Sequence, residues 1–356
     1  MRILALNSGS SSLKAEVYEI GAAQFDVLPA PAPLDKLESG ASLESFLAGV
    51  GPVDAVGHRV VHGGARYRNP VIITPEVRDG LAASASMAPV HIAKELALVE
   101  AASRITNAPQ VALFDTAFHQ TLDPAAYTYA VPPAWDVRRY GFHGLSYQYS
   151  ARRAPQLFGT DTPRLLVCHL GSGASLCAIR NGHSIDTTMG FTPLEGLVMS
   201  TRSGSLDPGL LLYLERSAGH SAEDLDRILN HESGLAGLSG LSGDLREILA
   251  ARAQGEPRAS LAFDVYMHRL TREAGAMVAV LGGLDCIVFT AGVGENSAVV
   301  REALGANLAY LGLRIQPGIP TAADTAIHAA ESTVKAAVIH ACEEWEIARE
   351  CFMLLA

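Results

Sequence analysis

Residues 1–20 read MRILALNSGSSSLKAEVYEI, and residues 164–182 read RLLVCHLGSGASLCAIRNG. Each begins with a short apolar run, passes through a tip of glycines and hydroxyl residues, and returns through a second apolar stretch. That pattern predicts a β-hairpin with a polar tip. The first hairpin is expected over 2–6 and 13–20. The second is expected over 165–168 and 176–179, with Asn181-Gly182 turning the chain into a further strand. The two tips share a Gly-Ser start, small residues and a Ser-Leu end. An internal duplication follows: two domains, each opening with strand, phosphate-sized loop, strand.

Further along, strands are expected at 55–61, 110–114 and 286–290. Helices are expected at 74–83, 92–104, 210–216, 222–230, 261–281 and 342–355. Residues 21–50 are rich in Ala, Pro and Gly and read as a variable connection. The most membrane-like stretch, Ala274 to Val293, is interrupted by Gly282-Gly283 and Asp285. It reads as a helix end, a turn and a buried strand.

The 356 residues suggest about two domains. Hydrophobic residues at 49% against 18% charged are enough for sizeable cores. A formal net charge of -10 gives no footprint for nucleic acid and requires a few placed cations to hold any anionic substrate. The five cysteines are odd in number and form no CxxC pair, which argues against a disulfide framework or a zinc site and fits a reducing, cytoplasmic compartment. The apolar run before Asn7 is too short for a signal peptide.

Several short stretches carry groups suited to phosphate or carboxylate chemistry. The tip NSGSSSLK (7–14) offers hydroxyls, backbone N–H groups and the point charge of Lys14. It is not a Walker loop, because GxxxxGKS/T is absent. Its S-x-x-K string lacks the Ser-Asp-Asn and Lys-Thr-Gly partners of serine acyl-enzymes. GHRVVHGG (57–64) ends an apolar strand on Arg59, a residue type that grips oxyanions in two-pronged fashion. FDTAFH (114–119) puts Asp115 where a buried strand stops, the position at which open α/β sheets bind ligands. RRYGFHGLS (138–146) flanks His143 with glycines, which allow close approach to the imidazole. DTTMGFTPLEGLVMSTRSG (186–204) is a long loop containing Arg202. GLSGLSGDLR (237–246) precedes a helix, and TAGVGENS (290–297) opens one after a buried strand, where backbone amides suit an anion.

Taken together and in this order, these strings resemble the acetate kinase family of the actin/sugar-kinase/Hsp70 superfamily. The resemblance covers most of the chain. It implies an α/β fold of two RNase H-like domains with an active-site cleft between them, 1–148 and 149–341, with a last helix at 342–356 packing back on the first. It implies reversible transfer of phosphoryl from Mg-ATP to acetate, with ATP and ADP as co-substrates, Mg²⁺ or alternatively Mn²⁺ as the metal, and a homodimer without membrane or nucleic-acid partners. By the same resemblance, Asn7 and Glu343 hold the metal. Ser10, Ser12 and Lys14 lie near the transferred group. Arg59 and Arg202 bind the carboxylate and the phosphoryl oxygens, Asp115 is the acidic catalytic residue, and His143 stabilises the transition state. His169, Leu170, Gly171, Ser172 and Gly173 cradle the nucleotide phosphates. Asp244, Leu245, Arg246 and Gly292, Val293, Gly294, Glu295, Asn296 flank the adenosine. Val61, Val90, Phe142 and Pro193 wall the methyl pocket.

Chemistry agrees with that cast. In-line phosphoryl transfer needs positioning and charge neutralisation more than covalent help. The acceptor carboxylate is already ionised at neutral pH, so it needs no general base, and Asp115 is expected to orient Arg59 or the substrate. Val90 stands where Leu is common in the family. A methylene in a pocket wall shifts discrimination by about 1–3 kcal/mol, so propionate and butyrate are alternative acids. A sugar or polyol kinase would need a base and would leave the two arginines surplus. An actin- or Hsp70-like binding module would hydrolyse ATP with no small acid.

Overall fold

The computed structural model describes residues 1–8, 13–37, 42–83 and 89–356, and the side chains of these apart from 89–91. The chain forms two compact units. One comprises Met1–Gln120, Phe142–Tyr149 and Ala341–Ala356, and the other Thr121–Gly141 and Ser150–His340.

The first unit is built on the N-terminal hairpin. Strands β1 (Arg2–Ser8) and β2 (Leu13–Glu19) pair antiparallel, with Asn7 opposite Lys14. Ile3, Leu4, Ala5 and Leu6 are all fully buried, as a strand covered on both faces requires. β3 (Asp35–Lys36) extends the β2 side. Helix α1 (Leu43–Val50), capped by Ser42 Oγ on the Ser45 N–H, lies within the stretch read as a variable connection. Its Leu43, Leu47 and Val50 pack on Leu4, Leu6 and Val56. Spaced three or four residues apart, these three make a short apolar face that the Ala- and Gly-rich composition concealed. Strand β4 (Ala55–Val60) runs parallel to β1. After β5 (Val71–Ile72), α2 (Pro75–Ala83) and α3 (Pro89–Ile105), strand β6 (Gln110–Phe114) runs parallel to β4. The sheet order is β3-β2-β1-β4-β6-β5.

The C-terminal helix (Glu343–Leu355) packs on β1 and β4. Gly57 permits this approach: a Cβ there would lie 2.5 Å from both Cys351 Sγ and Ile347 Cγ2. The close fit fixes the N-terminal turn of that helix, which carries Glu343 and Glu344.

Residues 121–141, assigned to the first domain by a division at 148, belong to the second unit. They contain α4 (Pro124–Tyr127) and are tied into that unit by hydrogen bonds. Thr121 Oγ1 donates to the Ser184 carbonyl, and the Tyr140 and Gly141 N–H groups donate to the Gly190 carbonyl. The chain then enters α5 (Gly144–Phe158).

The second unit repeats the plan. β7 (Arg164–Leu170) and β8 (Ala174–Arg180) form the hairpin, and β9 (His183–Thr187) follows antiparallel. Five helices intervene: α6 (Pro208–Ala218), α7 (Ala222–His231), α8 (Gly234–Ser239), α9 (Leu245–Ala253) and α10 (Pro257–Leu281). α10 starts on a Glu256 cap with Pro257 in its first turn and stops at Gly282 in the left-handed conformation. β10 (Cys286–Thr290) then runs parallel to β7, so the apolar stretch 274–293 resolves as helix end, turn and buried strand. α11 (Ala291–Asn296), α12 (Ala298–Asn307), β11 (Thr325–Ala326) and β12 (Lys335–Val338) complete the unit. The order β11-β12-β10-β7-β8-β9 matches the first sheet strand for strand: hairpin, two parallel additions, and a short antiparallel strand at each edge. The duplication read from the two tips is thus a duplicated topology.

Gly57→Ala is expected to cost about 1–3 kcal/mol of stability through overpacking against the C-terminal helix, read as a lowered midpoint of thermal unfolding. Pairing it with Ile347→Ala should restore part of the loss.

Candidate active site

In the first unit, the carboxyl ends of three neighbouring parallel strands gather polar side chains. Asn7 is at the end of β1, Arg59 at the end of β4, and Asp115 follows β6 directly. Asp115 is fully buried and the Arg59 side chain is 13% exposed. Arg59 donates Nε–H and an Nη2–H to Asp115 Oδ2, at 2.9 and 2.5 Å, and an Nη1–H to the Ser8 carbonyl at 3.0 Å. Among the described residues, three of the five N–H groups of the guanidinium are thereby engaged, and two remain for an oxyanion. Burial works against the Arg59 charge, but Asp115, Glu343 and Glu95 outweigh it and raise its pKa. Desolvation pushes the Asp115 carboxyl upward, opposed by Arg59 and by the His143 N–H. The two hydrogen bonds to one carboxyl oxygen keep the pair in contact.

His143 has φ 59°, and Gly144 follows it. The Gly144 N–H donates to the Asp115 carbonyl at 2.9 Å, and a Cβ at 144 would lie 2.2 Å from that oxygen. Glycine is needed here for the backbone after His143 to reach the end of β6. The left-handed backbone at His143 is a conformation in which His is several-fold enriched. His119 has a structural place, its Nε2 lying 2.9 Å from the Phe142 carbonyl.

At the end of β1, Asn7 Nδ2 donates to Glu343 Oε2 at 2.8 Å and to Glu344 Oε1 at 2.9 Å. Lys14 Nζ is 3.4 Å from Glu344 Oε1. Burial disfavours the Lys14 charge, but Glu344 and Glu343 outweigh it and raise its pKa. Burial raises that of Glu344, with Lys14 opposing. Asn7, Lys14 and Glu343 are thus brought together. Glu344, not among the residues expected in the site, bridges two of them. Ser10 and Ser12 lie outside the described residues, as does the side chain of Val90.

Val61 and Phe142 are buried, at 4% and 2% exposure. The Val61 N–H donates to Glu95 Oε1 at 3.1 Å. Glu95 is 3% exposed and was not singled out in the sequence, where it reads as one more polar residue on an α3 turn.

In the second unit, the β7–β8 tip is folded tightly, with the Gly171 N–H on the Gly173 carbonyl and the Ser200 N–H on that of Ser172. His169 and Leu170 are buried at the end of β7, with Thr290 of β10 beside His169. Arg202 Nη1–H donates to the Pro193 carbonyl at 3.3 Å. The loop carrying both is held by a group that sequence reading missed. Arg139 Nη1 donates to the carbonyls of Thr187, Thr188 and Met189, and its Nη2 donates to Glu195 Oε1 at 2.6 Å. The Tyr129 hydroxyl donates to Glu195 Oε2 at 2.5 Å and accepts the Phe191 N–H at 2.8 Å.

Asp244 caps α9 through the Arg246 N–H and pairs with the exposed Arg246 guanidinium. Gly292, Val293, Gly294, Glu295 and Asn296 form the short α11. Glu295 Oε1 already accepts the Ala291 N–H at 2.9 Å, so a carboxylate sits at that helix start. Asn296 Nδ2 donates to the Gly292 carbonyl.

Comparison with known proteins places this geometry in context. A family model described as "Acetokinase family" matches residues 34–349. An acetate kinase of Nostoc punctiforme is 44% identical over 404 aligned residues, covering all of both chains. One of Gloeobacter violaceus is 45% identical over 406, again covering both fully. Among solved structures, Porphyromonas gingivalis acetate kinase superposes with a TM-score of 0.86 at 35% identity, covering all of both chains. A propionate kinase from Francisella tularensis superposes at 0.87 with 34% identity over 98% of each.

Asp115→Asn would leave the Arg59 guanidinium without its counter-charge. It is expected to cost about 3–5 kcal/mol of stability, measured by denaturant unfolding. Glu195→Gln should leave global stability nearly unchanged while increasing hydrogen exchange across 187–196, because it loosens the Arg139–Tyr129 clamp.

Proposed function

As the chain belongs to the acetokinase family, we propose that it transfers the terminal phosphoryl group of ATP to the carboxylate of acetate, reversibly, giving acetyl phosphate and ADP. The observation that carries this reading is Arg59. It is a buried cation at a strand end, fixed by Asp115 on one edge, with two N–H groups that no described residue engages and that suit an oxyanion. A hydroxyl-phosphorylating kinase needs a carboxylate available as a base. Here the carboxylate is committed to a guanidinium, which suits an acceptor that has no proton to lose.

An acetate oxygen attacks the γ-phosphorus as the bond to the β,γ-bridging oxygen breaks, and that electron pair leaves with ADP. No proton is transferred. Arg59 and Arg202 neutralise the carboxylate and the equatorial oxygens, and His143 adds a hydrogen bond that strengthens as charge develops. Asp115 acts through Arg59. Lys14, together with Ser10 and Ser12, serves the transferred group. His169, Leu170, Gly171, Ser172 and Gly173 contact the nucleotide phosphates. Asp244, Leu245, Arg246 and the segment Gly292 to Asn296 serve the adenosine. Val61, Val90, Phe142 and Pro193 select the acid.

The donors Asn7 and Glu343, an amide and a carboxylate held side by side, fit Mg²⁺, which characteristically takes one or two protein carboxylates and fills its shell with water and phosphate oxygens. Mn²⁺ suits the same oxygens. When bound, the metal would supply charge neutralisation to the phosphates.

The protein is further read as a cytoplasmic homodimer. Among the described residues no helix is long and apolar enough to cross a membrane. On α6, Leu210, Leu212 and Tyr213 are 40%, 49% and 61% exposed, with Leu206 just ahead at 41%. Such a cluster of apolar side chains suits a second copy.

Acyl phosphate trapped with hydroxylamine from Mg-ATP and a panel of acetate, propionate, butyrate and glycerol is the direct test. Acetate should give the highest kcat/KM and glycerol none; signal from longer acids alone would keep the chemistry and change the substrate. Arg202→Gln should lower kcat by about 10²–10³-fold, and Glu343→Gln should raise the Mg²⁺ concentration needed for half-maximal rate.

A further inference from the structure

Glu95 is a buried carboxyl to which the reaction just described gives no part. Its Oε1 accepts the N–H of Val61, the residue that follows β4 and is assigned to the acid pocket. Its Oε2 is buried and, among the described residues, has no hydrogen-bond partner. The charges acting on it are Arg59 and Asp115, the pair at the centre of the acid half-site. Arg59 thus carries one positive charge toward Asp115, toward Glu95 when that is ionised, and toward any bound carboxylate. A further negative charge in that desolvated space weakens the hold of Arg59 on the substrate.

We propose that Glu95 is a positioning residue for the acid, one that fixes the Val61 end of β4 and takes up a proton from solvent as a carboxylate substrate settles beside Arg59. The proposal rests on the carboxylate-kinase reading and deepens it. Protonated, Glu95 keeps its carbonyl oxygen on the Val61 N–H while adding no charge. Ionised, it competes with the substrate for the same guanidinium. Linkage makes the effect reciprocal: if a bound anion favours the proton on Glu95, the proton favours the anion by the same factor.

Burial pushes the Glu95 carboxyl up to about 7, with Arg59 opposing, so the exchange falls near neutral pH. From β4 and the residues after it, burial pushes His58 and His62 down to about 4, leaving both neutral. Arg59 remains charged. On α3 itself Lys94 and Glu100 are exposed, as are Glu76, Arg78 and Asp79 on the α2 side, apart from half-buried members of that helix. Asp115, His119 and His143 all remain in a Glu95 variant, so any profile they generate persists in it.

The test is the KM for acetate, from rates of ADP release at saturating Mg-ATP, between about pH 6 and about pH 8.5 for the wild type and Glu95→Gln. The wild-type KM should rise about fivefold or more across this range, with kcat changing far less. The Gln variant should lose that rise. A flat wild-type profile, or the same rise in Glu95→Gln, overturns the proposal. Absence of acyl phosphate from the wild type at every pH would instead overturn the carboxylate-kinase reading. If Glu95→Gln does not fold, calorimetry of acetate binding to the wild type near pH 7, in buffers of different ionisation enthalpy, decides: proton uptake supports the proposal, and none overturns it.

Discussion

Arg59 and Asp115 are opposite charges removed from water, and much of the first unit is arranged to keep them together. A buried ion pair holds only when its geometry is good and its remaining polar atoms are served. Here Arg59 is also held by the Ser8 carbonyl, which comes from the neighbouring strand. The parallel register of β1, β4 and β6 brings those atoms to one edge of the sheet. The backbone after His143 reaches the same edge because Gly144 lets it touch the Asp115 carbonyl. Under the proposed function, committing Asp115 to Arg59 would leave this edge to an acceptor that is already anionic.

The same strand plan is used twice for different ends. In the first unit the hairpin holds amide, ammonium and carboxylate groups: Asn7, Lys14, and the glutamates brought by the C-terminal helix. In the second the corresponding tip is closed on itself by backbone hydrogen bonds among Gly171, Gly173, Ser172 and Ser200. Under the proposed function the first would serve a metal and a transferred group, and the second a nucleotide's phosphates. Topology is shared because the hydrophobic pattern of the two hairpins is shared; chemistry differs because tip residues are not constrained by the core.

Two features show how far positioning extends beyond the residues that would touch substrate. Arg139 gathers three consecutive carbonyls and Glu195, while Tyr129 holds the other oxygen of that glutamate. The loop bearing Pro193 and Arg202 is thereby fixed without regular secondary structure. Gly57 works by absence, admitting the C-terminal helix so closely that Glu343 and Glu344 meet Asn7. Neither a clamp nor a missing side chain declares its purpose in a linear reading.

The two hairpins, the long α10 and the buried β10 were legible because apolar runs, glycine stops and capping residues act within a few positions of one another. The strings around Asn7, Arg59, Asp115 and His143 were legible as well, since strand ends and glycine-flanked turns are local features. Helix α1 was not, because its apolar face is only three residues within an Ala- and Gly-rich stretch. Nor was the assignment of residues 121–141 to the second unit, which depends on hydrogen bonds to Ser184 and Gly190. The sequence by itself determined the duplicated α/β plan and the residue types available for phosphoryl transfer. Only the tertiary structure decided that Asp115 is bound to Arg59, that Glu344 joins Asn7 to Lys14, and that Glu95 lies buried behind Val61. Those pairings join residues tens to hundreds of positions apart, and the energy of a buried charge is set by what surrounds it in space.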